Sequence, residues 1–482
     1  MEPTSELIPN DRIGEKCAVA GAVGKSAHST VVEILYALQH RGSEASGMAC
    51  RNKTGDFNHH RGLGMVPDIF YEKVMEKMEG SFAVGHNRYS TNGSKFAHQQ
   101  PVVDEQIGFA FAHNGNIPVV KELESYLKQH GYPTKEFNDS ELLGLSIAQK
   151  IREGYKLGAA IEEVMPMVEG AFSCVAMHNG YVAAFRDKFG IRPLVYGKTE
   201  SGYAIASETC GLDIIGASDY KEIEPGELIV FSENGIALQK SFAKPQPKLD
   251  IFEFVYFARP DSFLYGKRVN GVRREFGNQL AKEHADKITI NKDTLVVPVP
   301  DSSIPAAEGF AEAVGALHRQ SLIKNRFVGR TFMKPSQKSR EKHLLRKHNL
   351  MAEEVKGKHL VLIDDSIVRL NTMPRIVAQA WKHQAKTVTV LISSPPVRYP
   401  DFYGIDLPDQ KYLGASKLTA NEMQKEIGAT YLGFLSLSGM VNSTGMPKDR
   451  FNLSIFDGNY PIKIGDRNRK NIKEPASFEY LK

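Results

Sequence analysis

Cysteine is scarce in this chain and poorly placed for cross-linking. The four residues, Cys17, Cys50, Cys174 and Cys210, all fall in the first half, and none belongs to a Cys-x-x-Cys pair. That spacing argues against a disulfide framework or a thiolate zinc site. With no cysteine after Cys210, a cluster held by four thiolates is excluded from the second half, and no iron–sulfur cofactor is expected. Long apolar runs are missing as well. No stretch of about 18 apolar residues occurs, so no membrane span is expected. Charge of one sign is in short supply: 61 Lys+Arg against 56 Asp+Glu leave a net charge of +5 over 482 residues. So small an excess speaks against a dedicated nucleic-acid surface, while local basic pockets for phosphates remain compatible with it. Residues 1–16 are polar and charged and lack the apolar core of a secretory signal. The expected compartment is therefore the cytoplasm.

A chain of this length with 41% hydrophobic residues has room for about two or three globular domains. The strongest linker signal is Phe242-Ala243-Lys244-Pro245-Gln246-Pro247-Lys248, polar and twice interrupted by proline. It suggests a leader at 1–16, a first domain at 17–245, a second at 246–465 and a charged tail at 466–482.

In the first domain, Cys17 opens a small-residue strand, and Val31, Ile34, Leu35 and Leu38 follow at helical spacing. Strands are expected near 82–84, 109–112, 171–177, 181–185 and 227–231, with helices near 118–130 and 139–153. Strands and helices in mixed order suggest a layered αββα architecture. Three polar clusters stand at or just beyond element ends: His86-Asn87-Arg88-Tyr89-Ser90-Thr91, His113-Asn114-Gly115-Asn116 and Asn138-Asp139-Ser140-Glu141. Taken singly, such residues are ordinary turn and cap formers.

The second domain repeats strand, loop and helix, the pattern of a parallel α/β sheet. Strands are expected at 295–299, 360–363 and 387–392, and a helix with Ile376, Val377, Ala380 and Trp381 on one face. Asp364 and Asp365 follow the second of these strands, where ligands of open α/β sheets bind. Adjacent carboxylates there suit a magnesium ion or the hydroxyls of a ribose, and the turn beyond, with Ser366 and Thr372, suits a phosphate. A basic segment starts at Lys324 and runs to Lys347, as expected of a flap over a polyanionic small molecule.

Taken together these motifs resemble two families. The early Cys17, Gln39-His40-Arg41-Gly42-Ser43-Glu44 and the three polar clusters are similar to class II glutamine amidotransferases, the N-terminal-nucleophile family. Lys358 to Thr372 resembles the phosphoribosyl-pyrophosphate (PRPP) motif of type I phosphoribosyltransferases. In combination, with Tyr256-Phe257-Ala258-Arg259-Pro260-Asp261-Ser262 and Phe402-Tyr403-Gly404-Ile405-Asp406, they resemble the glutamine PRPP amidotransferases from Cys17 to about Pro461.

The resemblance implies an α+β and α/β chain: an N-terminal-nucleophile αββα sandwich followed by a parallel-sheet type I phosphoribosyltransferase domain. It implies Cys17 as nucleophile, its own α-amine as base once residues 1–16 are removed, and Asn114 with Gly115 as oxyanion hole. Arg41, Arg88 and Asp139 would hold glutamine. Ser302, Asp364 and Asp365 would hold Mg²⁺; Asp301, Ser303, Lys324, Arg330, Lys347, Ser366 and Thr372 would hold PRPP. The implied reaction turns PRPP, glutamine and water into 5-phosphoribosylamine, glutamate and pyrophosphate, the first committed step of purine biosynthesis. Purine nucleotides would act as feedback inhibitors, and the chain would assemble as a homo-oligomer, a tetramer by resemblance.

Two positions depart from the pattern. Ala18 replaces the glycine usual after the nucleophile, and Leu370-Asn371 replaces Gly-Thr in the PRPP loop, where a backbone that must take φ > 0 tolerates leucine poorly. The second departure leaves open a changed sugar-phosphate acceptor, or a nucleotide-sensing relative without turnover.

Overall fold

The computed structural model describes residues 17–88, 98–325, 348–405, 407 and 409–475. Two antiparallel sheets fill the first half. The seven-stranded sheet runs in the order Ser218–Glu222, Val195–Thr199, Gly202–Ala206, Ala18–Val23, Phe82–Arg88, Ala45–Arg51, Phe57–Leu63. The six-stranded sheet runs Gly235–Ser241, Glu227–Ser232, Tyr181–Arg186, Glu169–His178, Phe109–Val119, Val102–Asp104.

Alternation along the strand Ala18–Val23 explains the layering. Ala18, Ala20 and Ala22 face outward and pack under Val31, Ile34 and Leu35 of the helix Ala27–Ala37. Val19 and Val23 face inward and meet Ala110, Ala112, Val175 and Val182 of the other sheet. Small residues let the helix settle close: a Cβ on Gly85 would stand 2.6 Å from Val31 Cγ1. The second sheet is covered in the same way, with Leu142, Leu143 and Ile147 of the helix Asp139–Arg152 against Phe111, Phe172 and Phe185. The result is the expected αββα sandwich.

In the second half, five parallel strands take the order Leu317–His318, Thr294–Pro298, His359–Asp364, Thr387–Ile392, Tyr431–Phe434. Both faces are covered, which is why Leu360 to Ile363 is continuously apolar. Val361 and Ile363 pack with Phe276, Leu280 and Phe310 on one face; Leu360 and Leu362 pack with Ile376, Val377 and Ala380 on the other.

Several boundaries differ from expectation. The strands Phe82–Arg88 and Phe109–Val119 run through their polar motifs, so His86, Asn87 and Arg88 and His113 to Asn116 are strand residues and not post-strand loops. Ladder pairing carries polar side chains that a turn would otherwise hold. Trp381 leaves the apolar face of its helix Met373–Lys382: it is 40% exposed and its indole N–H donates to the carbonyl of Gly428. The strands Ala45–Arg51 and Phe57–Leu63, rich in Gly, Ala and His, carried no strand signal in the sequence.

Candidate active sites

The strand Ala18–Val23 begins one residue after Cys17, which takes φ +57° and is partly exposed. In the ladder Ala18 pairs with Asn87, so one step further on each strand stand Cys17 and Arg88. Val19 pairs with His86, whose Nε2 lies 3.2 Å from the carbonyl oxygen of His113. That contact brings the Cys17 end of one sheet against the Asn114 stretch of the other. Burial, with the charges of Arg88 and His113, pushes His86 down to about 3, so the ring is neutral and donates from Nε2.

None of the four cysteines is in a disulfide. Burial pushes the Cys50 thiol up to about 12 and raises Cys174 and Cys210 as well, which makes them inert packing residues. Cys17 alone is accessible.

Asn114 is fully buried, yet neither its Nδ2 nor its Oδ1 has a hydrogen-bond partner among the described residues. A buried amide left unsatisfied is costly, so a ligand that supplies the missing partner is the physical expectation. Next to it, Gly115 takes φ +143°, and a Cβ there would collide with the Ala171 carbonyl at 2.0 Å. Only glycine adopts that backbone while leaving room beside the Asn114 amide.

Arg88 donates to the carbonyl of His98; Tyr89, Ser90 and Thr91 lie outside the described residues. Asp139 is not the cap of its helix. Asn138 fills that role in a capping box with Glu141, and Asp139 Oδ2 accepts from the Ile117 N–H at 3.0 Å, tying the helix start to the Asn114 strand.

Arg41 does not fit its expected place in a glutamine clamp. Its guanidinium is buried, with Nε donating to Glu208 and both terminal nitrogens to Glu253, so its fork is committed to two protein carboxylates.

In the second half, Ser302, Asp364, Asp365, Ser366 and Thr372 converge. Ser302 donates to Asp365 Oδ2, and Ser366 donates to Oδ1 at 2.6 Å. Asp364 to Ser366, Arg369 and Thr372 line one cleft with Tyr256 and Val299. Lys324 Nζ contacts Asp301 at 2.7 Å. The strand Leu322–Lys324 pairs antiparallel with His348–Leu350, so the described residues that flank the basic segment lie side by side. Arg330 and Lys347 themselves lie outside the described residues, as does Asp406.

Ser303 differs from expectation. It is fully buried, and its hydroxyl donates to the Val299 carbonyl at the head of the helix Ile304–Val314, which turns it away from any ligand.

The donor set of Ser302, Asp364 and Asp365 is all oxygen. Among the described residues no three His, Cys, Asp or Glu side chains gather as a metal cage. Few protein carboxylates suit magnesium, which completes its octahedron with water and substrate phosphate.

Leu370 turns its side chain inward, onto the core beside Gly414. Neither Leu370 nor Asn371 takes a positive φ, so this loop does not require glycine on conformational grounds.

The arrangement has close counterparts. A family profile described as a glutamine amidotransferase domain matches residues 86–213. An amidophosphoribosyltransferase of Synechococcus elongatus is 40% identical over 471 residues, covering 96% of this chain and 94% of that one. The chain belongs to the amidophosphoribosyltransferase family. A second amidophosphoribosyltransferase, from Bacillus subtilis, is 36% identical over 94% of this chain and 95% of that protein. The solved structure of glutamine PRPP amidotransferase from B. subtilis, complexed with ADP and GMP, superposes with a TM-score of 0.85 at 35% identity, covering 93% of this chain and 98% of that one.

Sequence reasoning missed Glu208, Glu253 and Arg192, which join the two halves. Each stands alone in the sequence, with no motif spacing to mark it.

Proposed function

We propose that this amidophosphoribosyltransferase hydrolyses glutamine at Cys17, in a unit spanning 17–245, and spends the ammonia on PRPP at Asp364 and Asp365, in a unit spanning 246–465. Glutamine, PRPP and water give 5-phosphoribosylamine, glutamate and pyrophosphate, the entry reaction of purine biosynthesis. Loss of residues 1–16 frees the Cys17 α-amine, whose reference pKa of about 8 lets it shuttle the thiol proton. The thiolate attacks the side-chain carbonyl of glutamine, and the oxyanion is held by Asn114 Nδ2 and the Gly115 N–H. Arg88 pairs with the substrate carboxylate and Asp139 with its ammonium.

At the second site, Lys324, Arg330 and Lys347 neutralise phosphate charge. Asp301 stands beside the pyrophosphate, and Ser366 and Thr372 hold the 5-phosphate end. Ser302, Asp364 and Asp365 would hold Mg²⁺, which when bound supplies positive charge to the departing pyrophosphate. Closure of this site keeps water from an anomeric carbon with oxocarbenium character. Purine nucleotides are the proposed inhibitors, in keeping with the ADP and GMP bound to the B. subtilis neighbour, and the proposed assembly is a homo-oligomer.

One observation carries the glutamine half: a fully buried Asn114 amide with no partner among the described residues, beside a position that only glycine can fill. The test is the mass of the mature N-terminus alongside glutamate release. Protein that begins at Cys17 is expected to hydrolyse glutamine, and protein retaining residues 1–16 is not. Equal rates from both forms would overturn the role of the α-amine.

A further inference from the structure

Arg88 and Asp139, which grip the amino-acid end of glutamine in the reading above, stand on different elements. Arg88 ends the strand Phe82–Arg88, and Asp139 opens the helix Asp139–Arg152. The stretch from His98 to Pro101 ties the two together. Gln100 is buried; its Oε1 accepts from the His113 N–H at 2.6 Å, beside Asn114, and its Nε2 donates to Ser140 Oγ at 3.1 Å, beside Asp139. Arg61 Nη1 donates to the carbonyls of Gln99 at 3.1 Å and Pro101 at 3.0 Å, which pins the same stretch to the strand Phe57–Leu63.

His98 takes φ +68°, a left-handed conformation that a residue with a Cβ adopts at a cost. Such strain persists where surrounding contacts enforce it. Here the contacts are at the two ends of one residue. The His98 carbonyl accepts from Arg88, and the imidazole Nδ1 donates to Glu141 Oε2 at 2.7 Å. That same carboxylate oxygen accepts from the Asn138 N–H at 2.8 Å, the return half of the capping box that precedes Asp139. The main chain of His98 thus holds Arg88 while its side chain holds the helix start. Without the imidazole anchor the backbone relaxes toward negative φ, and the carbonyl rotates away from Arg88. Asp139 stays in place, because the Ile117 N–H and the rest of the capping box still hold the helix start. The His98 ring is partly exposed and borders a cavity of about 510 Å³ with His59, His60 and Glu141, so truncation removes the hydrogen bond and little packing.

We propose that His98 is a positioning residue that sets the substrate specificity of the first site. It holds the Arg88 guanidinium at the spacing from Asp139 that a free α-amino acid requires, and so selects free glutamine over glutaminyl groups whose α-carboxylate is amidated. This rests on the reading of Arg88 and Asp139 given above.

The test uses the full-length, processed enzyme at saturating PRPP and reads pyrophosphate release from three nitrogen sources: glutamine, the α-amide of glutamine, and ammonium. Wild type is expected to favour glutamine over the α-amide through a lower KM. His98→Ala should raise the glutamine KM about tenfold, with kcat within about threefold of wild type. Its KM for the α-amide, which offers Arg88 no carboxylate, and its ammonium-supported rate should stay within about threefold. His98→Asn enters the left-handed region more readily and keeps an N–H donor, so its glutamine KM should lie closer to wild type. His98→Gly takes φ +68° without strain but lacks the anchor; it should raise the glutamine KM as alanine does, and it replaces the alanine variant should that one not fold. An unchanged preference for glutamine over the α-amide in whichever of the two folds overturns the proposal. So does a parallel loss of glutamine and ammonium activities, the mark of a merely structural role. Wild-type enzyme that uses glutamine and its α-amide equally well would overturn the reading of Arg88 itself, and the proposal with it.

Discussion

The Nε2 of His86 lies 3.2 Å from the carbonyl oxygen of His113, joining the strand beside Cys17 to the strand that carries Asn114. The ring is buried and neutral, so it has a direct consequence for pH. His86 titrates at about 3 when folded against 6.5 when exposed, so between these values the unfolded chain binds more protons. Its contribution is present in full above pH 6.5 and is lost as pH falls toward 3, at about 1.4 kcal/mol per unit. Denaturant unfolding between pH 4 and 8 is expected to show stability declining below roughly pH 6.5. His86→Gln, which keeps a donor without a titrating ring, should flatten that decline.

Asn114 provides a second prediction. Removing one oxyanion donor costs about 100- to 1000-fold in kcat. Asn114→Ala should lose glutamine-dependent turnover on that scale while ammonium-supported turnover stays near wild type. A loss of less than about threefold would show that the amide does not face the reacting carbonyl.

Asp365 accepts from both Ser302 and Ser366 and stands in the cleft of the second site. Asp365→Asn is expected to lower pyrophosphate release by about 100-fold or more, with either nitrogen source. Glutamate release without PRPP should be unaffected, which separates the two sites in one variant.

The side chain of Leu370 packs inward beside Gly414. Leu370→Gly should therefore cost about 1–3 kcal/mol of stability through lost burial and added backbone freedom. PRPP KM should change little. A large fall in KM would mean that the leucine obstructs the loop after all.

The layers were legible in the sequence because burial leaves a period. Leu360 to Ile363 is apolar throughout because both faces of its strand are covered, and Ala18 to Val23 alternates between helix and sheet. Motifs marked which residues gather, but not where each side chain points. Ser303 sits inside its motif with its hydroxyl turned onto Val299, and Arg41 sits inside its own while paired to Glu208 and Glu253. Those orientations depend on partners far along the chain. Glu253 was invisible for the same reason: a buried carboxylate between Arg41 and Arg192 is defined by tertiary contact, not by neighbours in sequence.

The central claim is that one sulfur releases the nitrogen that a distant pair of aspartates spends. Cys17→Ala, assayed with PRPP and either glutamine or ammonium, tests it most directly. The account predicts no glutamate and no pyrophosphate with glutamine, and pyrophosphate release restored by ammonium. Continued glutamate release from Cys17→Ala, or no rescue by ammonium in a folded variant, would contradict it.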